Sequence, residues 1–245
     1  MGNVIVTGGS RGIGLGIVRC LAKSGYSVLA LARKECPELR AAIEEAARRG
    51  TGSIGFAAYD LAETDGLAAL VKQLRKDLGP IYALVNNAGM SIDGTLALTS
   101  DTAIEKVVQL NVVSPMLLSK YVLRSMLADG AGGRIVNLAS IVAFTGYSGL
   151  SVYASTKASM IGFTRSLARE VGRAGVTVNA VAPGFVDTEM TRGLTEEHRE
   201  QIMRRSALRR LVEVDDVAAA VEYLLSDGAR NITGTVLTVD AGNTA

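Results

Sequence analysis

Short apolar runs rich in β-branched residues alternate with helix-period segments along the whole chain, and this rhythm constrains the fold more than any single motif. The runs are Val4–Thr7, Ser27–Ala32, Ile54–Tyr59, Ile81–Val85, Arg134–Ser140, Val176–Val181 and Val236–Val239. Between them fall helical patterns over Leu15–Leu21, Pro37–Arg49, Glu63–Leu78, Asp101–Ala128, from about Ser151 to Val171, and over Val217–Leu225. Strands separated by helices of this length lie parallel, joined by right-handed crossovers. The expected architecture is α/β: one doubly wound parallel sheet of about seven strands with helices on both faces. No linker, repeat or low-complexity stretch divides residues 1–245, so a single domain is expected.

Composition narrows the function. A net charge of +2 with scattered Lys and Arg gives no basic block for a phosphate backbone, so no nucleic-acid partner is expected. Cys20 and Cys36 are the only cysteines and His198 the only histidine, too few for a zinc site or a disulfide framework. No apolar stretch is long enough for a membrane span, and residues 1–3 lead straight into the first strand. The expected location is the cytoplasm, with no membrane partner.

The first strand runs into Gly8-Gly9-Ser10-Arg11-Gly12-Ile13-Gly14 and then a helix. Glycines permit a tight turn and close backbone approach, while a helix N-terminus offers unpaired N–H donors and a positive dipole end. The turn therefore suits a dinucleotide pyrophosphate, although its spacing, Thr-Gly-x-x-x-Gly-x-Gly, differs from G-x-G-x-x-G. After the second strand, where an acid would hold the ribose of NAD, stands Arg33. A cation there can pair with a 2′-phosphate, with Arg11 closing from the other side, which favours NADP(H). In the alternative, Arg33 is solvated, Glu35 binds the ribose and the cofactor is NAD(H). Asp60 and Leu61 follow the third strand, where Asp60 either bonds the adenine or caps the next helix. Asn86-Asn87-Ala88-Gly89 follows the fourth, suiting backbone that passes close to a cofactor or a hydrogen-bonded turn.

Within the helix Asp101–Ala128, Pro115 lies four residues after Asn111. Proline cannot donate to the Asn111 carbonyl and pushes it aside, so a kink with a free acceptor is expected. The fifth strand ends at Ser140, the kind of position where open α/β sheets hold reactive groups. Tyr153 and Lys157, four apart, share one helix face; alone, such a pair also fits a solvated surface. Val142, Phe144, Tyr147, Phe185 and Met190 are expected to line an apolar pocket, under a polar span of about 188–210 that reads as a lid.

Together these motifs resemble the short-chain dehydrogenase/reductase family over essentially the whole length. The marks are Thr7-Gly8 through Gly14, Asn86–Gly89, Asn111, Ser140, Tyr153 with Lys157, Pro183-Gly184 and Thr238-Val239-Asp240. The runs 166–171 and 179–185, continuing through Thr188, Met190 and Thr191-Arg192, look most like 3-oxoacyl-[acyl-carrier-protein] reductases. The resemblance implies a single-domain Rossmann-like fold and a catalytic set of Asn111, Ser140, Tyr153 and Lys157. Tyr153 would be the general acid in hydride reduction of a carbonyl, with its pKa lowered by Lys157 and by the positive charge of the oxidised nicotinamide, and Ser140 would polarise the carbonyl oxygen. Lys157 would also hold the nicotinamide ribose and reach the Asn111 carbonyl through water. Gly8, Ser10, Arg11, Gly12, Ile13, Gly14, Arg33, Asp60, Leu61, Asn87, Ala88, Gly89, Pro183, Gly184, Val186 and Thr188 would join Tyr153 and Lys157 in holding the cofactor. Ser140 and Tyr153 would also contact substrate. A homotetramer is implied, with the helices after Asn111 and after Tyr153 at one interface. The basic patch expected on those helices for acyl carrier protein is thin, since no cation stands between Arg124 and Arg134 while Arg169 and Arg173 remain. A coenzyme A thioester or a free alcohol, ketone or sugar therefore competes as substrate.

Overall fold

The computed structural model describes residues 2–186 and 195–245. Its sheet has seven parallel strands in the order β3-β2-β1-β4-β5-β6-β7. They are β1 Asn3–Thr7, β2 Ser27–Ala32, β3 Ser53–Ala58, β4 Ile81–Asn86, β5 Gly133–Leu138, β6 Val176–Pro183 and β7 Val236–Val239. The order reverses between β1 and β4, and the loops leaving these neighbours diverge to opposite faces, opening a crevice at their carboxyl ends.

Helices cover both faces because the central strands are apolar on both sides. Against one face pack α1 (Gly12–Lys23), α2 (Pro37–Arg49) and α8 (Val214–Leu225), through residues such as Ile17, Leu39 and Val221. Against the other pack α3 (Leu67–Leu78), α5 (Ser114–Asp129) and α6 (Ser151–Val171), through Val71, Val122 and Leu167. Ile5, Leu84 and Ile135 have no exposed surface, and each contributes about 1.5–3 kcal/mol by its burial. Two short polar-faced helices complete the set, α4 (Asp101–Val108) and α7 (Glu196–Arg205). Ser100 caps α4 by accepting from the Ala103 N–H, and Thr195 caps α7 by accepting from that of His198.

Three boundaries differ from expectation. Residues 63–66 are not helical: the Glu63 N–H donates to the Asp60 carbonyl and that of Leu67 to the Thr64 carbonyl, so two turns precede α3. β5 ends at Leu138, leaving Ser140 on the loop beyond. The helix expected over Asp101–Ala128 is α4, a π-helical turn at Gln109–Val113 and α5. The expected kink at Asn111 is thus a widened turn, a form common at functional positions. Pro115 sits in the first turn of α5, where a missing N–H costs little.

Candidate active site

Above the carboxyl ends of the strands lies a cleft of ≈ 2140 Å³. At one end the chain leaves β1 through Gly8 (φ 64°) and Gly12 (φ 53°), both left-handed. Gly14 is required for a different reason. A Cβ there would stand 2.1 Å from the Gly8 carbonyl oxygen and 2.5 Å from Asn87 Nδ2, so any side chain would drive α1 away from the loop. The first turn of α1 carries no acidic residue, and Arg11 at its N-cap gives no side-chain cap. Its leading amide groups are therefore suited to an anion.

The loop after β4 locks onto this turn. Thr7 Oγ1 accepts from the N–H groups of Asn87 and Ala88, both at 2.9 Å, and Asn87 Nδ2 donates to the Thr7 carbonyl at 2.9 Å. The two asparagines divide the work. Asn86 turns inward, its Nδ2 donating to Ser119 Oγ and to Asn137 Oδ1, while Asn137 donates to Thr164 on α6. Asn87 stays at the cleft.

At the end of β2, Glu35 accepts from Arg40 Nε (3.1 Å) and Nη2 (2.7 Å), which commits its carboxylate. Arg33 is exposed on the cleft wall, with no side-chain partner among the described residues. The Cys36 thiol donates to the Ser10 carbonyl at 2.7 Å and ties the glycine turn to the start of α2. No sequence pattern marked that contact, because it joins segments 26 residues apart. Asp60 does not cap α3, whose N-cap is Gly66: its Oδ1 accepts from the Ala62 N–H at 3.0 Å, closing a local turn.

Deeper in the cleft, Ser140 Oγ accepts from the Val142 N–H, leaving its O–H to donate elsewhere. Tyr153 and Lys157 occupy one face of α6, with Nζ 5.7 Å from the Tyr153 ring centroid. Nζ donates to the Leu138 carbonyl at 2.8 Å, so the last residue of β5 holds the lysine in place. Asn111 is 3 % exposed and does not line the cleft. Its side chain brackets Met90, accepting from its N–H at 2.9 Å and donating to its carbonyl at 2.8 Å, and Nδ2 also donates to Thr156 Oγ1 at 3.1 Å. The residue thereby fastens the loop after β4 to α6. Gly89 keeps the space between them: a Cβ there would lie 3.2 Å from Asn111 Oδ1 and 3.6 Å from Lys157 Nζ.

The titration behaviour departs from expectation. Burial pushes Tyr153 up to about 12, with Asp93 adding to the rise, and pushes Lys157 down to about 8. Lys157 and the oxidised nicotinamide were expected together to lower the tyrosine; in the protein by itself Nζ faces the ring and is held by a carbonyl, and desolvation dominates both groups. Asp93 had no motif to mark it, and it reaches the cleft because the N–H of Gly94 donates to the carbonyl of Gly149, just ahead of α6.

Gly8 through Gly14 of the turn, Arg33, Asp60, Leu61, Asn87, Ala88, Gly89, Pro183, Gly184 and Val186 all line the cleft, as do Ser140, Tyr153 and Lys157; the one exception inside the turn is Gly9, packed beneath it against Ala30 and Val18. Val142, Tyr147 and Phe185 form an apolar wall, the two aromatic rings meeting edge to face at 5.9 Å. Phe144 does not join them. It follows the 3₁₀ turn Ile141–Ala143, which buries Ile141 and Val142 and leaves Phe144 48 % exposed outside the cleft. Thr188 and Met190 lie outside the described residues. Wall residues that no motif announced are His198, Gln201, Ile202 and Arg205 near or on α7, and Asn243 close to the C-terminus.

Residues 8–244 match the family model described as Enoyl-(acyl carrier protein) reductase, and the chain belongs to this short-chain dehydrogenase/reductase family. The protein is an NAD(P)-dependent oxidoreductase acting on carbonyl or hydroxyl groups. It is 40% identical over 238 residues to the 3-oxoacyl-[acyl-carrier-protein] reductase of Pseudomonas aeruginosa, covering 97% of this chain and 95% of that protein. The Escherichia coli (strain K12) protein of the same name is 37% identical over the same shares. Among solved structures, actinorhodin polyketide ketoreductase with NADPH superposes with a TM-score of 0.91 at 35% identity, over 99% of this chain and 97% of that one. A Serratia marcescens short-chain dehydrogenase/reductase gives a TM-score of 0.92 at 33% identity, over 100% and 98%. No helix among the described residues is long and apolar enough to cross a membrane.

Proposed function

We propose that this protein reduces the 3-oxo group of an acyl thioester to a 3-hydroxyl, using NADPH. The observation that carries the reading is the convergence of Ser140, Tyr153 and Lys157 in the cleft that also holds the glycine turn and Arg33, which has no side-chain partner among the described residues. The thioester is suggested by the names of the relatives at 37–40% identity.

The residues fit a phosphorylated dinucleotide. Gly14 sits where a Cβ would close the cradle, the space beyond Gly12 is open, and the acid that could have taken a ribose, Glu35, is bound to Arg40. The turn 8–14 would hold the pyrophosphate, Arg33 the 2′-phosphate, Asp60 and Leu61 the adenine, and Lys157 the nicotinamide ribose. Bound NADPH would supply a hydride to the carbonyl carbon. Ser140, donating its O–H, orients and polarises the carbonyl oxygen. Tyr153 gives its phenolic proton to that oxygen as negative charge develops there. Lys157, fixed by the Leu138 carbonyl, places a cation beside the forming tyrosinate. Asn111 acts through Met90 and Thr156 as a positioning residue. The wall of Val142, Tyr147 and Phe185 receives the acyl chain, beside His198, Gln201 and Ile202 of α7; the lid expected over about 188–210 lies partly outside the described residues. A homotetramer is part of this reading, and Ser155, Ala158, Gly162 and Ser166 supply a flat, exposed face of small side chains on α6.

The test is steady-state reduction of acetoacetyl thioesters on acyl carrier protein and on coenzyme A, beside crotonyl thioesters and a panel of ketones. The expected result is 3-oxo thioester turnover that falls about 10²- to 10⁴-fold in Tyr153→Phe. No thioester turnover, or a Tyr153→Phe variant with full activity, refutes the proposal; crotonyl turnover alone would assign the enoyl reaction instead.

A further inference from the structure

A run of arginines that the chemistry above leaves unused reaches the cleft through Arg205. Arg204, Arg205, Arg209 and Arg210 fall within seven residues that contain no acid, and all four are exposed. Arg204 pairs with Glu200 at 3.1 Å. Arg209 donates to the Arg204 carbonyl at 2.7 Å and caps the end of α7. The guanidinium groups of Arg205 and Arg210 have no partner among the described residues, and Arg205 lines the cleft.

This turn is a built feature. Ser206 is 2 % exposed, and its single O–H lies between two acceptors, the carbonyls of Met203 at 3.0 Å and Arg210 at 3.1 Å, which share it. The N–H groups of Ala207 and Leu208 donate to the carbonyls of Gly242 and Ala241, which fastens the turn to the C-terminal segment. That segment is itself clamped by Asp240, whose carboxylate accepts from the N–H of Gly242 and from the N–H and Oγ1 of Thr244. Arg209 and Ala241, both at φ 55°, are the two left-handed non-glycine residues among the described ones, and they stand in the two strapped segments. Backbone strain of that kind, about 1–3 kcal/mol per residue, persists where surrounding contacts over-determine it and clusters at functional sites. By contrast, the end of α5 carries Asp129 paired with Arg75, which leaves Arg169 and Arg173 as exposed cations on and just after α6.

We infer that the strapped arginine turn Arg204–Arg210 is the docking surface for an acidic carrier protein that presents the acyl thioester to the cleft. This rests on the thioester reading above. The charges are spread over an exposed turn, which suits an acidic protein face better than a compact ligand. Arg205 stands where the carrier's phosphopantetheine arm would pass from surface to cleft, and its guanidinium suits the phosphodiester of that arm.

The experiment compares wild type with an Arg204→Glu, Arg210→Glu double variant, neither residue lining the cleft. Each is assayed with one 3-oxoacyl group on three thiols: acyl carrier protein, coenzyme A and N-acetylcysteamine. Removing steering and contact charges at an exposed interface should lower kcat/KM for the carrier-bound substrate about tenfold or more, chiefly through KM. The N-acetylcysteamine thioester should stay within about twofold of wild type, because it lacks both carrier and phosphate. Equal loss on all three thiols, no loss on any, equal loss on coenzyme A and carrier, or a changed mass in solution each overturns the docking assignment. Absence of thioester turnover by wild type would instead refute the thioester reading itself.

Discussion

Lys157 allows the energetics of the site to be tested without any ligand. Burial lowers its pKa from the ordinary 10.5 to about 8. Between those two values the unfolded chain binds the proton more tightly than the native protein does. Stability contributed by this position therefore rises as pH increases through that window, and the full cost of burying the cation is present below pH 8. At 1.36 kcal/mol per decade, wild type should gain about 2–3 kcal/mol from this residue between pH 7 and pH 10. Lys157→Met removes the titration while keeping a long side chain in the site. Urea unfolding of both proteins at half-unit steps from pH 7 to pH 10 gives the difference in unfolding free energy directly. Groups that titrate alike in both proteins cancel, and stopping at pH 10 avoids most of the window in which Tyr153, pushed up to about 12, holds its proton longer than an unfolded tyrosine. The expected plot shows wild type gaining on the variant with pH. A flat difference, or one of opposite slope, would mean that the ammonium is not desolvated and that Lys157 is an ordinary partly solvated lysine.

Other residues give independent checks. Arg33→Ala should raise the Kd for NADPH about 10- to 100-fold, the worth of one charge-assisted contact, and leave NADH within about threefold; equal weakening of both by titration calorimetry would refute the 2′-phosphate assignment. Gly14→Ala must displace either α1 or the Gly8 carbonyl, 2.1 Å from the added Cβ. It should cost about 1–3 kcal/mol in thermal or urea unfolding and abolish dinucleotide binding, whereas a stable variant with normal affinity would contradict the cradle. Asp93→Asn removes the charge that helps raise Tyr153, so the alkaline limb of the kcat/KM profile for reduction should move to lower pH. An unmoved limb would show that Asp93 is electrically remote from the phenol.

Periodicity alone carried much of the architecture. The alternation of β-branched runs with 3.6-period segments identifies a parallel sheet, because strand and helix periods are local properties of the chain. Local too are the glycine turn, the i, i+4 placement of Tyr153 and Lys157, and the missing N–H of Pro115. What could not be read there depends on partners distant in sequence. Asn111 was expected to act through its carbonyl at a kink. The contacts of its side chain, bracketing Met90 and touching Thr156, exist only once the β4 loop and α6 meet. Ser140 and Leu138 read as one strand, yet they part at the carboxyl end of β5, where Leu138 holds Lys157 and Ser140 enters the cleft. The sign of the Tyr153 shift also needed the fold: proximity to a cation argues for lowering, and only the degree of burial decides that desolvation prevails. Composition and local pattern thus specify the elements and the candidate site residues. Burial and long-range hydrogen bonds, which belong to the packed tertiary structure alone, decide which groups face the cleft, which hold others in place and how tightly each keeps its proton.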